Sequence, residues 1–107
     1  MSPSTAWLML VIAGALDVGW AISMKYAEGY TRAGWSIASL VLLAAFVFLL
    51  GRALKVLEVG VAYSVWTGIG AAGTFIMGVL LFGETLSAMK LAGIALVLMG
   101  IVALKLA

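Results

Sequence analysis

Charged side chains in this 107-residue sequence fall in a few tight groups separated by long apolar runs. Lys25, Glu28 and Arg32 form one group, Arg52, Lys55 and Glu58 the next, and Glu84 and Lys90 a third, with Lys105 near the end. The runs between them are roughly 20 residues, the length a helix needs to cross a bilayer's hydrocarbon core. Backbone polar groups in lipid must be satisfied within the structure, which leaves helices as the sensible spanning form for runs of this kind. The spacing predicts four spans, Thr5–Met24, Ala33–Leu50, Val59–Phe82 and Leu86–Leu104, in a single transmembrane domain over residues 1–107. The expected fold class is therefore an all-α membrane protein, and the short loops make sequential helices antiparallel. Composition agrees: 66% of residues are hydrophobic and 9% charged, where a soluble domain carries about 25% charge. A soluble fold of this size leaves too much surface exposed to hide so many apolar side chains.

Several function classes fall away. There is no cysteine and no histidine, so disulfides, thiol nucleophiles and the usual zinc sites are excluded, and no metal is expected. The net charge of +2 comes from scattered residues, not from a basic patch of the kind that binds nucleic acid. Gly68, Gly70 and Gly73 lie inside a span with no strand before them, so they are no dinucleotide loop, and the P-loop pattern is absent. Without a nucleophile–base pair or a metal cluster the chain does not read as an enzyme, and no cofactor is expected. No basic segment precedes the first apolar run, so no cleaved signal is expected.

Orientation is undetermined by charge. Lys25, Arg32 and Lys90 fall on one side of the membrane and Arg52, Lys55 and Lys105 on the other, so the positive-inside rule gives no strong preference. Such a chain can insert both ways up, which permits an antiparallel, dual-topology dimer. Four short helices can hardly surround an aqueous path alone, which also argues for a second subunit. On the fourth span Gly93 and Gly100 are seven residues apart and share a face with Leu96 and Val97 between them. Small residues let helix backbones approach closely in lipid. That face is a candidate subunit contact, or a packing face within one chain.

Asp17 is the only charged side chain among the first 24 residues, and it lies in the middle of an apolar stretch. A carboxylate at membrane depth is costly unless it is paired, hydrated or protonated, so it is a functional candidate by default. Ala13, Gly14, Trp20 and Ala21 lie three or four residues away, on the same face. Trp20 can wall the carboxylate or anchor the helix at the interface. On the third span Tyr63, Trp66 and Thr67 share helical spacing. Tyr63 can donate a hydrogen bond to a carboxylate, and Trp66 can present a ring face to a cation. Aromatic pairs at this spacing are ordinarily core packing; the unpartnered acid gives them a further use. Gly68 and Gly70 are candidates for a hinge or for close packing. A carboxylate in an apolar, aromatic-walled site can hold a proton or an organic cation on the same oxygens. Competition between the two at an alternating-access site gives exchange driven by an ion gradient.

Three segments together resemble the small multidrug resistance family of bacterial exporters. They are Asp17-Val18-Gly19-Trp20 with Lys25-Tyr26 and Glu28 to Arg32, then Gly60 through Tyr63, Trp66 and Gly68 to Gly70, and Gly93 with Leu96, Val97 and Gly100. The resemblance covers essentially all four spans. It implies proton-coupled antiport of small organic cations across the bacterial inner membrane. It also implies an antiparallel dimer sharing one site, with Asp17 binding proton and substrate, Trp20, Tyr63 and Trp66 lining the site, and Gly93, Leu96, Val97 and Gly100 in the dimer contact. Trp20 and the Lys25-Tyr26 and Thr31-Arg32 contexts resemble the guanidinium-exporting subgroup, and planar guanidinium suits a carboxylate through parallel hydrogen bonds.

Two positions depart from the family pattern: Asp17 stands where the family has Glu, and Phe46 stands where it usually offers a Ser to the acid. The second makes the site more aromatic. It favours a bulkier hydrophobic cation such as quaternary ammonium, or a chain that pairs with a homologue as a heterodimer. A membrane scaffold subunit and a lipid-carrier translocase are readings of other classes, and neither needs a central acid.

Overall fold

A computed structural model describes residues 2–107, and its four helices run α1 Pro3–Tyr26, α2 Ala33–Ala53, α3 Val59–Phe82 and α4 Ala88–Leu106. All four are long and apolar enough to cross a bilayer, and there is no strand among the described residues. The chain is thus an all-α protein of four membrane-spanning helices, a multi-pass membrane protein.

Local chemistry sets several helix ends. Pro3 opens α1, where its missing N–H is no loss, and the Ser2 hydroxyl accepts from the Thr5 N–H at 3.2 Å. Gly83 ends α3 in the left-handed region at φ +63°, a conformation that costs glycine little. Ser87 caps α4 by accepting from the Lys90 N–H at 3.1 Å, while the Lys90 ammonium donates to the Thr85 carbonyl and hydroxyl. The α1–α2 loop is tighter: Glu28, Gly29 and Tyr30 all have positive φ, and the Thr31 hydroxyl bonds back to Glu28 and Ala27 carbonyls.

The helices lie as a flat slab, 40 × 35 × 16 Å. A helix with its side chains is about 10–12 Å across, so the molecule is little more than one helix thick. α1 packs on α2 and α3, and α4 leans mainly on α3, with Lys105 lying 5.0 Å over the Trp7 ring of α1. The core is correspondingly small: Leu10, Ala62 and Val65 are buried together, with Trp7, Trp66 and Ile69 packed around them. No residue of α4 is buried. An open groove of ≈ 790 Å³ runs along the α3–α4 contact, lined by Thr67, Gly68, Val97, Gly100 and Ile101 among others.

α1 and α3 run parallel, and their contacts advance in step. Side chains at Gly14, Gly70 and Gly73 would strike Ile69, Asp17 and Val18 respectively. Glycine is needed at these places because a side chain of the facing helix stands where a Cβ would be. α3 is helical without interruption through Gly68 and Gly70, both buried. Of the two readings of these glycines, hinge or close packing, this conformation displays packing.

Candidate functional site

Asp17 lies on α1 nine residues before its end at Tyr26, about 13 Å along the axis at 1.5 Å per residue. That places it well inside the hydrocarbon layer. Its carboxylate faces α3 at Gly70, where a Cβ would run into it. The two ion pairs among the described residues, Lys25–Glu84 and Arg32–Glu28, leave Asp17 out.

An aromatic stack stands beside the acid. Trp20, one turn after Asp17, meets Phe46 of α2 at 5.5 Å between ring centroids. Phe46 stacks on Trp66 of α3 at 5.4 Å with 28° between planes, and Tyr63 meets Trp66 edge-on at 5.4 Å. Phe46 is buried and links the rings of α1 and α3. The four aromatic candidates therefore form one chain of contacts across three helices. The indole N–H groups of Trp20 and Trp66 are buried without an acceptor from the protein. Each such donor costs about 1–3 kcal/mol, so the stack holds two donors in reserve. Tyr63 remains 58% exposed, and among the described residues no hydrogen bond joins it to Asp17. The Thr67 hydroxyl of the next turn bonds the Tyr63 carbonyl.

The residues of α4 behave differently from one another. Space is open around Gly93 and Gly100, and Leu96 is 68% exposed. Val97 instead points inward, with Ile101, to where a side chain on Gly68 of the same chain would stand. Val97 and Gly68 thus meet inside one subunit.

A single slab cannot enclose this site. Within one chain, Asp17 and the ring stack have helices α1 to α3 around them, and α4 stands apart.

The family model for "Small Multidrug Resistance protein" matches residues 5–97. The chain belongs to this family. A "Guanidinium exporter" of Yersinia pseudotuberculosis serotype I (strain IP32953) is 54% identical over 102 residues, 95% of this chain and 98% of the relative. Proteins of the same description from Escherichia coli (strain K12) and Citrobacter freundii are each 46% identical over 101 residues, 94% of this chain and 96% of theirs. As a small multidrug resistance protein, the chain has its acid and its ring stack on the three helices that pack together, and its two open glycines on the fourth.

Sequence reasoning did not find the membrane-edge cluster at the far end of α1. Lys25 and Glu84 fall in separate charge groups along the sequence, yet they pair at 2.9 Å. Lys25 also lies 4.5 Å above the Phe82 ring. No local pattern reveals a pair 59 positions apart; only the register of α1 against α3 does.

The fit at Gly70 yields a prediction. Gly70→Ala is a good helix substitution in itself, but its methyl group would displace the Asp17 carboxylate. Cation-driven proton movement in liposomes is expected to fall by at least roughly tenfold, about 1.4 kcal/mol, while helix content by circular dichroism stays unchanged.

Proposed function

We propose that this chain is one subunit of a proton-coupled antiporter that exports small organic cations, guanidinium and guanidinyl compounds first, from the bacterial cytoplasm across the inner membrane. The observation that carries this reading is Asp17 itself: a carboxylate inside the membrane span, without an ion-pair partner, beside an aromatic stack. An anion with ring faces nearby attracts an organic cation by charge and by cation–π contact. The same oxygens take a proton when the cation leaves. One occupant at a time, at a site that opens alternately to the two sides, couples inward proton flow to outward cation flow. The relatives described as guanidinium exporters support the choice of guanidinium.

The working unit is an antiparallel dimer. A slab 16 Å thick leaves the site uncovered, α4 has no buried residue, and Gly93 and Gly100 stand open. A second copy laid against it would supply a second Asp17 and enclose both. The even charge count on the two sides of the membrane suits a chain that inserts in both orientations.

Phe46 favours a second reading, export of bulkier hydrophobic or quaternary ammonium cations, alone or beside a paired homologue. Bare guanidinium carries N–H donors around its edge that need acceptors, whereas a quaternary ammonium ion is satisfied by the ring faces that Trp20, Phe46 and Trp66 offer. Phe46→Ser would open a space between the two indoles and add a hydroxyl there. It is expected to raise the ratio of guanidinium to tetraethylammonium transport by roughly tenfold, about 1.4 kcal/mol of relative binding. An unchanged ratio in folded protein removes Phe46 from substrate selection.

Proteoliposomes with a pH-sensitive dye inside test the central reading. A guanidinium gradient is expected to drive proton movement in the opposite direction in the presence of the protein. A response to quaternary ammonium alone selects the second reading. Silence with every cation, in folded dimeric protein, rejects homomeric exchange.

A further inference from the structure

We propose that Glu84 and Phe82 form a second, peripheral station for an organic cation, and that in this conformation the chain's own Lys25 ammonium occupies it. The inference rests on reading Asp17 as a cation site, because a station at the membrane edge has a use only if a cation travels past it.

The chemistry is that of a cation site. Lys25 Nζ is 2.9 Å from Glu84 Oε2 and 4.5 Å from the centre of the Phe82 ring. A carboxylate on one side and a ring face on another are the two attractions an organic cation can use. The remaining ion pair, Arg32–Glu28 at 3.4 Å, joins residues four apart in one loop and is an ordinary local contact.

The backbone fixes this arrangement. Gly83 turns left-handed after α3, and the Gly83 and Glu84 N–H groups both point back to the Gly78 carbonyl. That turn lays the Glu84 carboxylate over Gly78, where a side chain would collide with it. Phe82 is braced by Tyr26 at 5.1 Å, and Tyr26 is stacked on Trp35 at 4.8 Å with 26° between planes. The ring is therefore held from two other helices.

The cluster also lies further along the helix faces of α1 and α3 that carry Asp17 and Gly70. Asp17, Ala21 and Lys25 follow one another at four-residue steps on α1, and Gly70, Thr74, Gly78 and Phe82 do so on α3. Residues at such spacing share a helix face. The parallel register that sets Asp17 on Gly70 sets Ala21 and Ile22 beside Thr74, where they line a cavity of ≈ 60 Å³ closed by Lys25, Phe82 and Glu84. Asp17 and Lys25 are about 12 Å apart along α1, eight residues at 1.5 Å each.

Affinity at the station is low, as transit requires. The Lys25 and Glu84 side chains are 54% and 48% exposed, and exposed pairs of this kind contribute little. A cation released from Asp17 can exchange with the ammonium. A site on a conduction route must release what it binds.

The test silences the central site and frees the station. Protein carrying Asp17→Asn is placed in nanodiscs with ¹³C-labelled glutamate carboxyls, and methylguanidinium chloride is titrated against equal sodium chloride. The chain has three glutamates, Glu28, Glu58 and Glu84, and Glu84→Gln identifies the signal. With Lys25→Met added, the Glu84 signal is expected to shift saturably, with an apparent affinity roughly fivefold tighter than with Lys25 present, about 1 kcal/mol. Lys25→Arg keeps a cation in place and is expected to match the protein with Lys25, which also controls for folding. A Glu84 signal that responds equally with and without Lys25, or only as Glu28 and Glu58 do, overturns the proposal. Since Asp17 is replaced throughout, this signal reports the station alone. A failure of the central reading shows itself separately, as exchange that survives Asp17→Asn in otherwise unaltered protein.

Discussion

Asp17→Asn is expected to abolish guanidinium-driven proton movement, a fall of at least roughly a hundredfold, about 2.7 kcal/mol or more, without loss of stability. The amide has nearly the shape of the carboxylate but can neither carry charge nor exchange a proton in this range. No cation among the described residues pairs with Asp17, so its neutralisation strands no partner. A charge at membrane depth costs about 2.5–3.5 kcal/mol on insertion scales, a cost that Asn never carries. Thermal unfolding in detergent is therefore expected at the wild-type temperature or above. The combination separates a functional acid from a structural one. A residue holding helices together through hydrogen bonds would lose stability along with activity. Retained exchange in the Asn variant would place the coupling group elsewhere.

Gly100→Leu is expected to act on assembly instead. Gly93 and Gly100 have open space where a Cβ would stand, and no residue of α4 is fully buried within the chain. A leucine there fits in a single subunit and in lipid, so helix content is expected to persist. If two copies approach along α4, the added volume separates their backbones and removes the close packing that drives association in lipid. Single-molecule photobleaching in liposomes is expected to show the dimer fraction reduced by roughly tenfold, about 1.4 kcal/mol, and transport reduced in proportion. A dimer that persists at wild-type levels places the subunit contact away from this glycine face. Gly68→Leu is the contrasting case: its side chain would meet Val97 and Ile101 of the same chain, so it disturbs the subunit before any partner arrives.

Four spans were legible because in lipid the apolar run itself is the signal, and the charge groups mark its ends. Capping and loop chemistry moved the ends by a few residues. α1 begins at Pro3 because Ser2 caps it, and runs on through Lys25 to Tyr26. α2 continues to Ala53 with Arg52 lying over Phe48, a polar head on an apolar stem at the membrane edge. α4 starts only at Ala88 because Ser87 serves as its cap.

At the candidate site, Asp17 was legible because a lone acid in an apolar run is costly to the fold and stands out against every neighbour. Trp20 and Tyr63 with Trp66 could be placed on the same helices as faces, but not in contact. Contact required Phe46, a residue no periodicity distinguishes from its apolar neighbours; it drew notice only through the family resemblance. Gly70 was legible as a small residue, while its fit against the Asp17 carboxylate depends on how α1 and α3 align. Lys25 and Glu84 were invisible as a pair for the same reason. What a single sequence withholds here is the register between helices.

The central claim is that one carboxylate holds either a proton or a cation. Dimeric protein in weakly buffered detergent solution, given saturating guanidinium, permits the most direct measurement: the protons released on binding, read with a pH indicator. Release that saturates with the cation, and vanishes in Asp17→Asn, is the predicted result. Guanidinium binding that releases no proton across the whole pH range of activity, or release undiminished in Asp17→Asn, would contradict it.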